Sequence, residues 1–153
     1  MLYRGKDKSR LSRESETAIE YNEIMERGGP LKRSSKVQLK DIFLLALAFG
    51  YMKDLSIAIN NEEKFLKASN FEDVLPVLIN AIALEKNDED ISILSSEDSN
   101  IFKPSEEYAN AGFEILKGKY IKNEDVFIEE LRLNILKMNK DDFILKKLDE
   151  LNI

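Results

Sequence analysis

The feature that most restricts how this chain can fold is an uninterrupted apolar run of eight residues, Ile42–Phe49. On an α-helix, such a run places apolar side chains around nearly the whole circumference, and a helix of that kind is stable only when it is buried. The run is far shorter than the roughly 20 residues that span a bilayer. We therefore expect a central core helix that begins near Ser35, where Ser35 and Gln38 have capping-box spacing, and ends between Phe49 and Met52.

Helical periodicity recurs along most of the chain. Apolar residues three and four apart predict a weak helix from Ser12 to Arg27 and a short helix at Glu62–Ala68. Leu55, Ile57 and Ile59 alternate as in a strand, but no partner strand is evident, so this segment is predicted to be an extended connection. The same periodicity and capping rules predict further helical segments: 74–84, 91–94 (a single turn), 104–117, 123–138 and 140–151. The predicted fold class is all-α, a compact irregular or orthogonal bundle of five to six helices.

The predicted organisation has two parts, a basic N-terminal arm with the weak helix (residues 1–35) and a helical domain (residues 36–153). Residues 1–40 carry ten Lys or Arg against six Asp or Glu, a net charge of +4, whereas the remainder carries −10. An acidic body argues against a broad DNA-binding face, since such faces neutralise phosphates with cations. The basic residues near the start form either a solvated tail or a contact with phosphates or an acidic partner; they are Arg4, Lys6, Lys8, Arg10 and Arg13.

Composition removes most catalytic chemistry. The chain has no Cys and no His, so the usual zinc ligands, thiol nucleophiles and histidine general bases are absent. No glycine-rich phosphate-binding loop is present. Carboxylates remain, but clusters such as Asp88–Asp90 are adjacent in sequence and do not converge as a metal site requires. We therefore predict no catalytic residue, no metal site and no cofactor, and keep a carboxylate-based metal hydrolase as a minor alternative.

A small-residue segment, Ala109–Gly112, lies inside the predicted helix 104–117. Glycine costs about 1 kcal/mol relative to alanine in a helix, so a helix that contains it usually lets another backbone come close. Tight packing within the domain is the favoured interpretation. A partner contact through Tyr108 and Asn110 is the alternative. Gly50, at the end of the core helix, is predicted to be either a helix cap or a similar point of close packing.

Three stretches carry a resemblance to a known family: Lys40–Tyr51, Leu78–Leu84 with the acidic loop to Leu94, and Glu106–Leu116. They resemble a small bacterial and archaeal family that accompanies genes of DNA phosphorothioation (Dnd) modification and restriction. The similarity covers residues 36–117, and the family's pattern has glycine where Ala111 stands. The resemblance implies an accessory protein of a defence system, and it carries over no catalytic residues.

These observations together predict a non-enzymatic accessory or adaptor subunit of a prokaryotic DNA modification-restriction or phage-defence complex. Its predicted partners are other protein subunits of that system, and a homodimer stays open because the core helix is apolar enough to lie at a two-fold interface. The alternative is a nucleic-acid-binding protein that makes a weak DNA contact through residues 1–35. The first residues are polar and basic with no apolar segment behind them, so we expect a cytoplasmic protein with no membrane partner.

Overall fold

The computed structural model describes residues 10–26, 37–71, 74–88, 90–94 and 101–120, together with 125–126, 129–130 and 132–133. Contacts divide the chain into two units, residues 1–118 and 119–153. The predicted boundary between an arm and a domain after residue 35 stays a prediction. The elements in chain order are β1 (Arg10–Glu14), α1 (Ala18–Glu26), α2 (Leu39–Met52), β2 (Glu62–Lys67), α3 (Val74–Lys86) and α4 (Lys103–Tyr120).

The prediction of an all-α bundle of five to six helices is wrong. The described residues contain four α-helices and a two-stranded antiparallel sheet, in which β1 pairs with β2. β2 occupies the segment predicted as a helix at Glu62–Ala68. Glu, Lys and Leu favour helix locally, but pairing with β1 places Leu11 opposite Leu66 and buries both side chains in the core. Tertiary burial therefore overrides the local preference. In the same way, β1 occupies the start of the weak helix predicted from Ser12, and α1 begins only at Ala18.

A bulge in the sheet directs Phe65 towards the helices. Leu11 lies opposite Leu66 and Ser12 opposite Lys64, so no residue lies directly opposite Phe65. Bulges of this kind bend a strand and re-aim a side chain. The Phe65 ring lies 5.5 Å from that of Tyr21 in α1 and 6.0 Å from that of Phe43 in α2. The sheet is therefore joined to both helices through aromatic contacts.

α2 is the core helix, as predicted, although it begins four residues later than expected. Gln38 is its N-cap, and the backbone N–H of Gln38 donates to Asp41 Oδ2 at 2.7 Å, which forms a capping box. Ser35, the predicted cap, lies outside the described residues. Phe43 and Leu47 are buried, whereas Tyr51 is 43% exposed. The helix therefore buries most, but not all, of its apolar circumference.

The backbones of α2 and α4 touch at two glycines. A Cβ on Gly50 would stand 1.9 Å from the Tyr108 carbonyl oxygen, and one on Gly112 would stand 1.7 Å from the Ala46 carbonyl oxygen. No larger residue fits at either position without moving a helix. The prediction of close packing around Ala109–Gly112 is confirmed, and Gly50 is a point of close packing rather than a cap.

The remaining predicted helices are confirmed where the structure describes them. α3 and α4 correspond to the helices predicted at 74–84 and 104–117, and Ile91–Leu94 forms a 3-10 turn. Residues 55–59 are an extended connection, in which the Ile57 N–H donates to the Glu107 carbonyl at 3.1 Å. In the second unit the described residues from 125 to 133 are helical, and the helix predicted at 140–151 lies outside the described residues.

Candidate interaction surface

Two of the five basic residues predicted to bind a partner or nucleic acid are described, and they lie in different environments. Arg4, Lys6 and Lys8 fall outside the described residues. Arg10 is exposed at the start of β1, directly opposite the exposed Lys67 of β2. Like charges directly opposite in a sheet repel each other. Neither cation forms an ion pair with any residue that the structure describes. Within the described part of the chain, nothing compensates the positive charges of Arg10 and Lys67 at this end of the sheet.

Arg13 points into the fold. Its side chain is 10% exposed, and Nη2 lies 3.2 Å from Glu63 Oε2. The guanidinium carbon lies 4.5 Å from the ring centroid of Phe65 and 5.2 Å from that of Tyr21. Such cation–π contacts stabilise a desolvated arginine. The structure thus uses Arg13 to tie β1 to β2 and α1, and it does not bring Arg13 to the surface with Arg10.

Tyr108 and Asn110 fasten α4 to the extended connection after α2. Tyr108 is 1% exposed, and its hydroxyl donates to Asp54 Oδ1 at 2.9 Å. The Asn110 amide donates to the Ile57 carbonyl at 3.2 Å. Both side chains therefore have intramolecular roles, and a partner contact through them stays a prediction.

A charged cluster joins the ends of α2 and α3 around Tyr108. The Lys86 ammonium lies 3.3 Å from Asp54 Oδ1 and 4.8 Å from the centroid of the Tyr108 ring. Two hydrogen bonds lower the pKa of the Asp54 carboxyl. The one from Tyr108 has the larger effect, and the one from Lys86 comes second. On the neighbouring turn, Tyr51 donates to Glu85 Oε2 at 2.7 Å, and this hydrogen bond raises the pKa of the Tyr51 hydroxyl. The charge of Lys86 is thus compensated by Asp54, whereas Glu85 has only a neutral hydroxyl as partner among these residues.

A serine and a lysine meet between the strands and α4. Lys64 Nζ donates to Ser12 Oγ at 2.7 Å, and the hydroxyl donates to Glu62 at 2.5 Å. Activation of a serine nucleophile needs a base that accepts its proton. Lys64 cannot accept the proton of Ser12, because its ammonium ion-pairs with Glu62. In addition, Ser12 is only 1% exposed. The Ser12 backbone N–H donates to Glu106 Oε1 at 2.6 Å, so the cluster fastens β1 to α4.

The described residues contain neither a carboxylate metal site nor a membrane-spanning helix. Among the described residues, no three carboxylates come close enough together to hold a metal ion. Asp88 and Asp90 belong to this set, while Glu97 and Asp98 lie outside it. The described helices include none with the length and apolar character that a bilayer crossing demands.

The outer face of α3 presents large apolar side chains to solvent. Val77 is 68% exposed and Leu78 is 38% exposed; Ile91, just beyond the helix, is 74% exposed. Ala81 and Leu84 continue the face of Val77, because residues three and four apart share one side of a helix. The opposite face is buried in the core; it consists of Leu75, Ile79, Ile82 and Ala83. A contiguous exposed apolar strip, unlike a single exposed residue, marks an interaction surface.

Beside this strip lies a groove of about 690 Å³, which we call the α3 groove. Its apolar part is formed by Ala81, Leu84 and Ile91, and its polar part by Glu85 and Asp88. The groove lies at the C-terminal end of α3, where the helix carbonyls add partial negative charge. No Lys or Arg is among the lining residues that the structure describes. The lining of the α3 groove therefore combines apolar side chains with two carboxylates.

Sequence reasoning missed this surface, although a signal for it was present. Residues 74–84 were predicted only as a helical segment, and Ile91 was assigned only to a helical turn. From residue 74 to residue 84, every position except Pro76 and Asn80 carries an aliphatic side chain. One buried face cannot hold that many apolar residues. The excess indicates either a fully buried helix or one with a second, exposed apolar face.

Comparisons with known proteins give one match. Residues 32–151 match the model of a family described as DNA sulphur modification system-associated protein 4. No curated protein and no solved structure matches the chain. The matched span contains α2, β2, α3 and α4, and hence the whole of the α3 groove.

Proposed function

Because this chain belongs to the family of DNA sulphur modification system-associated protein 4, we propose that it is a non-enzymatic accessory subunit that acts by binding another protein of such a system. The membership agrees with the resemblance to Dnd-associated proteins found in the sequence. The observation that most supports protein binding is the exposed apolar strip of α3, in which Val77 and Ile91 are each more than two-thirds exposed.

The expected strength of such binding follows from the size of the strip. Complete burial of a large aliphatic side chain is worth roughly 1.5–3 kcal/mol, so Val77, Leu78 and Ile91 together would supply at most about 5–9 kcal/mol. Association itself costs about 4–15 kcal/mol in lost translational and rotational freedom. The strip alone would therefore give a weak complex, and a stable one requires further contacts around it.

The proposal is tested by size-exclusion chromatography with light scattering. The full chain is run alone and then mixed with each other protein of its sulphur modification system in turn. We expect a complex with at least one of them, with a mass equal to the sum of the two components. Elution at an unchanged mass with every protein would contradict the proposal. A doubled mass for the chain alone would favour the homodimer instead.

Direct nucleic-acid binding is the second candidate, and the cation pair of Arg10 and Lys67 favours it. These two charges could neutralise phosphates together with Arg4, Lys6 and Lys8. Fluorescence anisotropy with duplex DNA at increasing salt is the appropriate assay, since each phosphate contact contributes a log–log slope of about −0.9. Replacement of these five residues by Ala should abolish binding, whereas Arg132→Ala, which removes a cation paired with Glu129, should not. Unchanged anisotropy in the fivefold variant would exclude this candidate.

A further inference from the structure

We propose that the α3 groove binds a cationic, amphipathic segment of a partner protein. An apolar side chain of that segment would lie on Ala81, Leu84 and Ile91. A Lys or Arg beside it would pair with Glu85 and Asp88. This inference rests on the proposed function, because it specifies the partner chemistry for the same surface.

The two carboxylates of the groove select a cation. Glu85 and Asp88 are exposed, and Glu85 accepts a hydrogen bond from Tyr51 through Oε2 only, so that Oε1 has no donor among the described residues. Lys86, the nearest cation in sequence, is held by Asp54 at 3.3 Å and by the ring of Tyr108. No cation of the described residues neutralises Glu85 or Asp88, so their negative charge is left for a ligand.

Two neighbouring features strengthen this negative field. The last carbonyls of α3 carry the partial negative charge of a helix C-terminus, within one turn of Glu85. Past the helix, the Ser92 backbone N–H donates to Asp90 Oδ1 at 2.9 Å, and this hydrogen bond lowers the pKa of Asp90. Asp90 therefore remains ionised at neutral pH. A nucleic acid would be repelled from this groove, which leaves a basic protein segment as the macromolecule that fits.

The apolar part of the lining argues against a bare ion. Two carboxylates do not make a metal site, and no group of three potential ligands exists in the described part of the chain. A metal ion or a small polyamine would also leave the Ile91 side chain, which is 74% exposed, in water. A segment with a Lys or Arg three or four residues from a large apolar residue would match both the carboxylates and the apolar part of the lining.

Two substitutions remove the charge and preserve the fold. In Glu85→Gln the amide oxygen can still accept the Tyr51 hydrogen bond. Asp88 has φ of 51°, a left-handed conformation that Asn adopts at least as readily, so Asp88→Asn is tolerated. The matched control is Glu16→Gln with Glu23→Gln, which neutralises two exposed carboxylates on the segment that contains α1.

The probe is the subunit of the sulphur modification system that co-elutes with the chain, and its affinity is measured by titration calorimetry at low and high salt. Each exposed ion pair is worth about 0.2–1 kcal/mol, so we expect Glu85→Gln with Asp88→Asn to weaken binding roughly two- to thirtyfold at low salt. Wild type and double variant should converge at about 1 M salt, where charges are screened within about 3 Å. The control should bind as wild type does.

Other outcomes overturn the inference, and they distinguish it from the proposed function. If the charge variant binds like wild type while Val77→Asp with Ile91→Asp does not bind, the partner is not cationic but the surface is still an interface. If neither pair of substitutions changes binding, the inference and the α3 surface both fail. If the groove substitutions instead convert a dimer of this chain into a monomer, the occupant is a second copy and the cationic partner is excluded.

Discussion

Gly112 is the residue whose size is most tightly constrained by the fold. A Cβ there would overlap backbone atoms of Ala46 and Gly50 in α2, which cannot move aside unless the two helices separate. We expect Gly112→Ala to lower the free energy of unfolding by about 1–3 kcal/mol or more, as overpacking does, despite the better helix propensity of Ala. Urea unfolding followed by circular dichroism measures the change.

The same helix supplies the control for this substitution. A Cβ on Gly118 would meet no atom of another described segment within 4 Å. Gly118→Ala should therefore raise the free energy of unfolding by up to about 1 kcal/mol through helix propensity alone. Equal shifts of the unfolding midpoint in the two variants would show that the α2–α4 contact is not as close as described.

Glu106 gives a pH-dependent contribution to stability. It is 4% exposed, and burial raises the pKa of its carboxyl above the ordinary value of 4.5. The folded chain thus holds this proton more tightly than the unfolded chain does. The resulting stabilisation is fully present below the unfolded-state pKa and is lost as pH rises through the folded-state pKa.

Glu106→Gln tests this contribution, because the amide oxygen can still accept the hydrogen bond from the Ser12 N–H. We expect the variant to be at least as stable as wild type at pH 7 and to lose less stability between about pH 4.5 and 7. Chemical denaturation at several pH values measures both effects. The exposed Glu114→Gln on the same helix serves as the control. A variant that is less stable at pH 7 and has the wild-type pH slope would contradict the assignment.

At the scale of elements, the sequence could predict those helices and strands whose stabilising interactions are local in the chain. α2, α3 and α4 were predictable because their apolar spacing lies within each helix. The β1–β2 pair was not, because Leu11 and Leu66 are distant in sequence and the register depends on a bulge at Phe65. The local preference of β2 for helix concealed the strand further.

Removal of β1 should therefore damage the whole first unit. A chain that begins at residue 18 loses the buried Leu11, leaves Leu66 without its partner and takes away the Ser12 donor of Glu106. We expect a loss of at least about 3 kcal/mol of stability, since burial of one leucine alone is worth about 2–5 kcal/mol. Thermal unfolding followed by circular dichroism measures it, with a chain that begins at residue 10 as the control.

Thermal unfolding of a shorter piece tests the predicted boundary after residue 35. A piece comprising residues 36–153 that unfolds cooperatively at the wild-type temperature would support a separate arm. It would also contradict the structural importance of β1 and α1. If that piece fails to fold while the chain from residue 10 is stable, β1 and α1 belong to the same domain as α2.

At the scale of the whole molecule, the sequence could predict a class of function but not the site. The absence of Cys and His, together with the resemblance, was sufficient to favour an accessory protein over an enzyme. The excess of apolar residues in α3 indicated a second apolar face but not which residues form it, because Leu75 and Val77 are equally apolar and only tertiary packing buries the first and exposes the second. For the same reason, the sequence could not show that Arg13 has an intramolecular role. In the sequence, Arg13 is simply one of several basic residues near the N-terminus.

The measurement that most directly tests the central claim compares exposed apolar residues of the α3 strip with one on α1. Val77→Asp with Ile91→Asp is compared with Ile19→Asp on α1, where the side chain is 71% exposed. Each variant is titrated with the co-eluting subunit of the sulphur modification system. We expect the α3 pair to abolish binding while the variants keep their wild-type unfolding temperature, and Ile19→Asp to bind normally. Normal binding by the folded α3 variant would contradict the claim that the chain works through this surface.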